Sequence, residues 1–137
     1  MGVCTAIDIE EIEYKEQPKS VTDEKGITMI IVDIISSKDS IIHTLADKYN
    51  IDLTPFKSWP TDDEIIGPWQ DPVKLWQAAY SLYQAFLKEG NNLIGEKLFF
   101  GKMTDSDLEF AKESLKDIIR GCKFAKENAK RVRFFLY

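Results

Sequence analysis

Histidine and cysteine are scarce in this chain of 137 residues, which has one histidine, His43, and two cysteines, Cys4 and Cys122. Catalytic triads and zinc sites need several such side chains at defined spacings, and those spacings are absent. We therefore expect no metal, no cofactor and two reduced, mostly buried thiols. A disulfide between Cys4 and Cys122 stays an open alternative, because pairing depends on geometry.

Long apolar runs are also missing from the sequence. No stretch approaches the roughly 18 apolar residues that a transmembrane helix needs, and residues 1–8 lack the pattern of a secretory signal. We therefore expect a cytosolic protein that does not bind membranes. The motifs of phosphate-binding loops, dinucleotide-binding loops, EF-hands and serine nucleophiles are absent as well, which favours a binding protein over an enzyme.

Positive charge is in deficit, since 18 lysines and arginines stand against 23 acidic residues, for a net charge of −5. A chain with this balance is a poor binder of nucleic acid. The charge is also unevenly distributed, because residues 1–24 are mainly acidic and residues 120–133 are mainly basic. Either the fold pairs these two segments internally, or the protein has an acidic face and a basic face.

The clearest structural signal in the sequence is a helix from Asp71 to Gly90. Asp71 is a favourable N-cap, Pro72 suits the first helical position, and Gly90 is typical of a helix end. Apolar residues cover most of the circumference of this helix, so it should be packed on several sides. The pattern therefore predicts a central helix around which the rest of the domain is built.

Two strands are predicted near the start of the chain and one at its end. Alternating residues over 3–14 favour a first strand, and alternation over 131–137 favours a last one. The β-branched run Ile27–Ile35 predicts a central strand that is covered on both faces, with Asp33 as its only charged residue. Residues 93–100 fit either a short strand or a helical turn.

Two further helices complete the predicted architecture. One begins after a cap at Ser36 or Ser37 and runs to Asn50, and the other begins at Thr104 and ends near Asn128. We expect one α+β domain over residues 1–137, with a small, mainly antiparallel sheet of about three strands packed by three helices.

Residues 51–71 form a proline-rich loop with two tryptophans and several acids. Thr61 and Glu64 match a capping box for a short helical turn within it. In one interpretation the tryptophans fold inwards and clamp the loop onto the core. In the other, at least one of them is exposed among the acids and makes a recognition surface for a protein partner. The candidate partner-binding residues are Trp59, Asp62, Asp63, Glu64 and Trp69.

The segments DPVKLWQAAYSLYQAFL and LKDIIRGCKFAKENAKRVRF carry a resemblance to known proteins. The C-terminal half of the chain, which contains them, resembles small cytosolic bacterial domains, some of which are immunity proteins that neutralise toxins. The resemblance implies an acidic, single-domain protein that binds another protein. It assigns no functional residue.

Three functions are compatible with these patterns. We expect first a non-enzymatic protein that binds and neutralises a partner with a basic surface. The second is a small-ligand domain or enzyme with a pocket beside the central helix, using Asp33, His43 or Tyr80. The third is a subunit of a homo-oligomer whose exposed strand pairs with another chain.

Overall fold

A computed structural model describes residues 5–13, 28–60 and 64–136 of the chain. The described ranges contain four α-helices and a two-stranded antiparallel sheet, so the α+β class is confirmed, with one strand fewer and one helix more than predicted. The elements are β1 (Thr5–Ile9), α1 (Met29–Ser36), α2 (Ile41–Tyr49), α3 (Pro72–Glu89), α4 (Asp105–Glu127) and β2 (Val132–Leu136). Short 3₁₀ turns occupy Thr54–Lys57 and Gly90–Leu93. No helix in the described ranges has the length and apolar composition needed to cross a membrane.

Helix α3 is the predicted central helix, and its ends are formed as the sequence predicts. The Asp71 side chain accepts a hydrogen bond of 2.9 Å from the Val73 N–H, Pro72 opens the helix, and Gly90 ends it with φ of 54°. Its most extensive contact is with α4. The α3 side chains that lie fully in the core are Leu75, Ala79, Leu82 and Phe86.

Helix α4 begins with a complete capping box. Thr104 Oγ1 accepts from the Asp107 N–H at 3.1 Å, and the Asp107 carboxylate accepts from the Thr104 N–H at 3.0 Å. This confirms the predicted start of the helix, and its end at Glu127 agrees with the prediction to one residue. Gly121 faces β1, where an added Cβ would lie 3.9 Å from Ile7 Cδ1.

The sheet joins the two ends of the described chain. Strand β1 pairs antiparallel with β2, in a register that sets Thr5 opposite Leu136 and Ile9 opposite Val132. The predicted first strand is therefore confirmed over residues 5–9 and the last strand over 132–136.

Ion pairs follow the same register. Asp8 pairs with Arg133 at 2.9 Å, Glu10 with Arg131, and the Glu11 carboxylate accepts from Lys130 at 3.1 Å. The acidic start and the basic end of the chain are thus paired internally at these positions.

The other edge of β2 is occupied by residues 65–70, which touch it through isolated bridges. The Leu136 N–H donates to the Ile65 carbonyl and the Gly67 N–H donates to the Phe134 carbonyl, both at 2.8 Å. Strand β2 therefore lies between β1 and an irregular third segment. The predicted third strand over Ile27–Ile35 is wrong, and a part of the predicted proline-rich loop occupies a strand position in its place.

The described part of the apolar run that was expected to form a central strand lies in helix α1, from Met29 onwards. Its buried residues Ile30, Ile31 and Ile34 lie on one helical face. This helical spacing cannot be recognised in the sequence, because the neighbouring residues are apolar as well. The boundary with α2 also differs from the prediction, because Ser36 ends α1 and Ser40 is the N-cap of α2. The predicted end at Asn50 is confirmed, with φ of 54°.

Candidate functional site

The main candidate site is the segment from Ser58 to Gln70, named here the tryptophan loop, of which residues 61–63 lie outside the described ranges. Trp59 attaches the first arm of the loop, residues 58–60, to the core. The indole is half-buried against core residues, and its Nε1–H donates to Thr5 Oγ1 at 3.4 Å. Thr5 is itself fully buried and its hydroxyl also bonds that of Thr28 at 2.7 Å. For Trp59, the inward-facing interpretation therefore holds.

Trp69 fastens the second arm by a different interaction. Its ring is half-buried beneath two guanidinium groups, with Arg133 Cζ 4.1 Å and Arg131 Cζ 5.8 Å from the ring centroid. Guanidinium groups placed over an indole face are attracted by the negative potential of the ring. Arg131 and Arg133 thus each contact two partners, an acid at the start of the chain (Glu10 or Asp8) and this tryptophan.

Gly67 allows the two arms to approach each other. A Cβ at this position would lie 2.6 Å from the Ser58 carbonyl oxygen and 3.2 Å from the Phe134 carbonyl oxygen, both of which are backbone atoms. Any larger residue would therefore push the first arm of the loop away from the sheet. No local sequence signal marks this residue, because a Gly-Pro pair is common in ordinary loops.

Between its two anchors the loop exposes apolar surface beside a carboxylate. Ile65 is 63% exposed and Ile66 is 42% exposed, and the preceding Glu64 is also exposed. Asp62 and Asp63, which the sequence analysis assigned to the same surface, lie outside the described residues, as does Thr61 of the predicted capping box. The described part of the candidate site is therefore a fixed segment with an exposed Glu64–Ile66 tip.

The outer edge of this segment is a poor template for another strand. Ile66 and Phe135 form a non-hydrogen-bonded pair, so the N–H and C=O of Ile66 point away from β2. Two residues further on, Pro68 has no N–H to donate. The edge therefore offers the N–H and C=O of Ile66 but no N–H at Pro68, so it could pair with another strand only over a short stretch.

The charged groups next to Trp69 are largely paired with one another. Hydrogen bonds from Arg131 hold the pKa of Glu10 below its ordinary value, and the same contact raises the pKa of Arg131. The guanidinium groups of Arg131 and Arg133 are thus engaged with Glu10 and Asp8.

A second candidate site is an open cleft of about 480 Å³ on the outer side of α3. Of the three residues proposed for a pocket, only Tyr80 lines this cleft; Asp33 and His43 do not. His43 Nε2 instead donates to the Ile34 carbonyl at 3.0 Å. The lining residues are Tyr49, Ile51, Tyr80, Ser81, Gln84, Ala85, Leu87 and Lys88.

Tyr49 ties the end of α2 to the end of α3 at the rim of this cleft. Its hydroxyl donates to Glu89 at 2.5 Å, and Lys48 pairs with the same carboxylate at 3.2 Å. These hydrogen bonds lower the pKa of Glu89 and raise those of Tyr49 and Lys48. Lys88 lies over the Tyr49 ring, with its Nζ 5.5 Å from the centroid.

The described ranges contain neither a cluster of metal ligands nor an exposed cysteine thiol. No group of three or more histidine, cysteine, aspartate or glutamate side chains is placed there to hold a metal ion. Cys122 is a free, buried thiol, and desolvation raises its pKa well above the ordinary range. The prediction of a reduced, buried thiol is thus confirmed for Cys122, whereas Cys4 lies outside the described residues.

Comparison with known proteins gives no match: no family model, curated protein or solved structure matches this chain. The resemblance to immunity-type domains therefore keeps the status of an expectation. The candidate functions depend on the geometry of the tryptophan loop and of the cleft.

Proposed function

We propose that this chain is a non-enzymatic protein-binding domain that neutralises a partner protein through the tip of the tryptophan loop. One observation carries the proposal: a loop anchored at both ends exposes Ile65 and Ile66 beside Glu64. An apolar centre with charged neighbours is the usual composition of a protein interface. Because Trp59 and Trp69 hold the described parts of the loop, residues 58–60 and 64–70, binding would lose little conformational entropy there.

The partner has a basic surface around an apolar depression. The net charge of −5 and the acids at positions 62–64 would attract such a surface and accelerate association. The two isoleucines would then supply the short-range contact that holds the complex. The resemblance to immunity-type domains supports a toxin as the class of partner.

The test is affinity capture from the native host, followed by titration of the purified partner against defined variants. Ile65→Ser/Ile66→Ser removes the apolar tip and should weaken binding by about tenfold or more, the range expected for interface anchors. Asp62→Lys/Asp63→Lys should slow association and reduce its dependence on salt. Ile35→Ser, which changes an exposed isoleucine on α1, is the matched control and should bind like the wild type.

The outcomes separate the function from the site. A stoichiometric partner that binds the wild type and the Ile35→Ser control, but not the tip variant, would support both. Equal affinity for all variants would keep the function and reject the tip. Failure of the folded wild type to retain any partner would reject the protein-binding function.

A second candidate function, supported by the cleft on α3, is the binding of a small anionic aromatic molecule. Its volume of about 480 Å³ falls in the range typical of ligand sites. Tyr80 and Leu87 offer exposed apolar surface, and Lys88 supplies a positive charge at the rim.

A library of aromatic carboxylates, screened by ligand-observed NMR, tests this candidate. Binding that is lost in Tyr80→Ser and weakened in Lys88→Ala would support it. Binding that these substitutions leave unchanged, or no binding at millimolar concentrations, would reject it. The control is Phe110→Ser, which alters an exposed aromatic residue on α4 outside the cleft.

A further inference from the structure

Residues 96–103 form a tight hairpin between α3 and α4. The Leu98 N–H donates to the Gly101 carbonyl and the Met103 N–H donates to the Glu96 carbonyl, both at 2.9 Å. Leu98 and Met103 are buried, so the base of the hairpin is part of the core. The hairpin is therefore a fixed projection of the fold.

Two phenylalanines form the tip of this hairpin. Phe100 is 78% exposed and Phe99 is 44% exposed, and their rings meet edge to face with centroids 4.6 Å apart. The positive φ that the turn requires is at Gly101, 79°, so neither phenylalanine is needed for the backbone conformation. Tight turns normally carry small or polar residues, and two adjacent exposed aromatic rings suit a binding contact instead.

A buried carboxylate fixes the position of the tip. Asp33 is almost completely buried, and its Oδ1 accepts a hydrogen bond of 2.5 Å from the Phe99 N–H. Its Oδ2 is also buried and has no hydrogen-bond partner within the described parts of the chain. Burying a carboxylate oxygen without a partner is costly. The fold accepts this cost at a residue that holds the exposed turn.

The corner between α1 and α2 adds two more attachments. The Ile41 N–H donates to the Lys97 carbonyl at 2.9 Å, and the Lys97 ammonium pairs with Asp39 at 2.6 Å. Opposite Lys97 on the hairpin is Lys102, which is exposed and forms no ion pair with the described residues. The tip therefore presents two rings and one free positive charge.

We propose that Phe99 and Phe100 insert into an apolar pocket on a protein partner, with an acidic group at the pocket rim facing Lys102. This inference rests on the proposed function, because it assigns a second contact for the same protein-binding activity. The hairpin would supply a second apolar anchor, in addition to Ile65 and Ile66 of the tryptophan loop.

Two other occupants fit the tip less well. Attraction to an anionic membrane needs a cluster of basic residues, whereas Lys97 is neutralised by Asp39 and the chain has a net charge of −5. A symmetric dimer through the tip alone would bury on the order of 250 Å² of phenylalanine surface per copy, far below the ~800 Å² typical of stable interfaces. A protein that encloses the hairpin needs no cluster of basic residues and can bury more surface than the two rings alone.

The test replaces Phe100 with the photoreactive residue p-benzoyl-phenylalanine in the full chain, expressed and irradiated in host cells. We expect a covalent adduct with one protein, attached at an apolar pocket of that protein. The affinity of the purified protein for Phe100→Ser should be at least tenfold weaker than for the wild type. Phe110→Ser, the matched exposed aromatic control, should change the affinity by less than twofold. Lys102→Glu should also weaken binding.

Each other result overturns the inference. Adducts with lipid or with a second copy of the chain, the absence of an adduct, or equal affinity of Phe100→Ser and wild type would each reject the protein pocket. The same photoreactive residue at Ile65 distinguishes this failure from failure of the proposed function. An adduct from position 65 without one from position 100 would keep the function and reject the hairpin contact.

Discussion

Arg133 stacks on Trp69, with its guanidinium carbon 4.1 Å from the ring centroid, and thereby joins strand β2 to the tryptophan loop. The same guanidinium donates through Nε to Asp8 on the neighbouring strand at 2.9 Å. One side chain thus connects all three segments of the sheet. Its removal should affect the attachment of the loop and the pairing of the strands together.

Arg133→Ala should lower the free energy of unfolding by about 1–2 kcal/mol, because a cation–π contact and a partly buried ion pair are lost together. Arg133→Lys should lower it less, since it keeps the charge but loses the planar stacking. Urea denaturation measures the change, and ¹⁹F NMR of fluorotryptophan-labelled protein should show one of the three resonances shifting. Lys116→Ala, on the exposed face of α4, is the control. Unchanged stability and an unmoved resonance would contradict the role of Arg133.

Substitution of two glycines by alanine should change stability in opposite directions. Gly67→Ala places a Cβ against two backbone carbonyl oxygens and should destabilise the fold by about 1–3 kcal/mol. Gly121→Ala finds ordinary contact at 3.9 Å and should stabilise helix α4 by up to about 1 kcal/mol. Thermal unfolding followed by circular dichroism compares the two variants. Destabilisation of similar size by both would contradict the difference in packing between the two positions.

The contrast between α3 and α1 shows what could be predicted from the sequence. Helix α3 has local signals at both ends, Asp71 with Pro72 and then Gly90, and these do not depend on the rest of the fold. The run that forms α1 has no cap, and its uniform apolar character is compatible with a buried strand or a buried helix. Only its packing partners decide between them.

The candidate site was predictable in part for a related reason. The concentration of tryptophan and acid within residues 51–71 is visible in the sequence, and it marked the loop. The seating of Trp69 beneath Arg133 depends on a strand more than 60 residues away, so no local pattern could reveal it. The exposure of Phe100 likewise depends on which side of a hairpin is buried, and the sequence segment 93–100 permitted either a strand or a helical turn.

Acid should weaken the attachment of α2 to α3 through Glu89. The hydrogen bond from Tyr49 and the pairing with Lys48 lower the pKa of Glu89 below its ordinary value of 4.5. A carboxyl whose pKa is depressed by folding stabilises the fold above pH of about 4.5, and this contribution is lost as the pH falls through the folded-state pKa. Glu89→Gln should therefore make stability less dependent on pH below that value.

Urea denaturation at a series of pH values from about 3 to 7 tests the Glu89 prediction. Glu113→Gln, which removes a carboxylate from the exposed face of α4, controls for the change in net charge. If wild type and Glu89→Gln lose stability in parallel on acidification, the hydrogen bond from Tyr49 does not contribute as expected.

Asp33 should protect the turn that it holds from solvent exchange. In Asp33→Ala the Phe99 N–H loses its acceptor, so its hydrogen exchange should accelerate by about tenfold, in keeping with the loss of one hydrogen bond. Asp33→Asn keeps an oxygen at that position and should retain most of the protection. Hydrogen exchange followed by NMR measures the Phe99 amide directly, with the Ala79 amide in α3 as the internal reference. Equal acceleration at both amides would indicate global destabilisation.

The pairing of residues 5–9 with residues 132–136 has a consequence for biosynthesis. Strand β1 leaves the ribosome first, but its only hydrogen-bonded strand partner among the described residues is synthesised more than 120 residues later. The tryptophan loop also depends on β2, because its β-bridges and the Arg133 guanidinium that stacks on Trp69 both belong to that strand. The helices can begin to associate during translation, whereas the sheet and the surface that we assign to partner binding can form only after residue 136 has emerged. A ribosome stalled before β2 would therefore present a helical intermediate without a recognition loop.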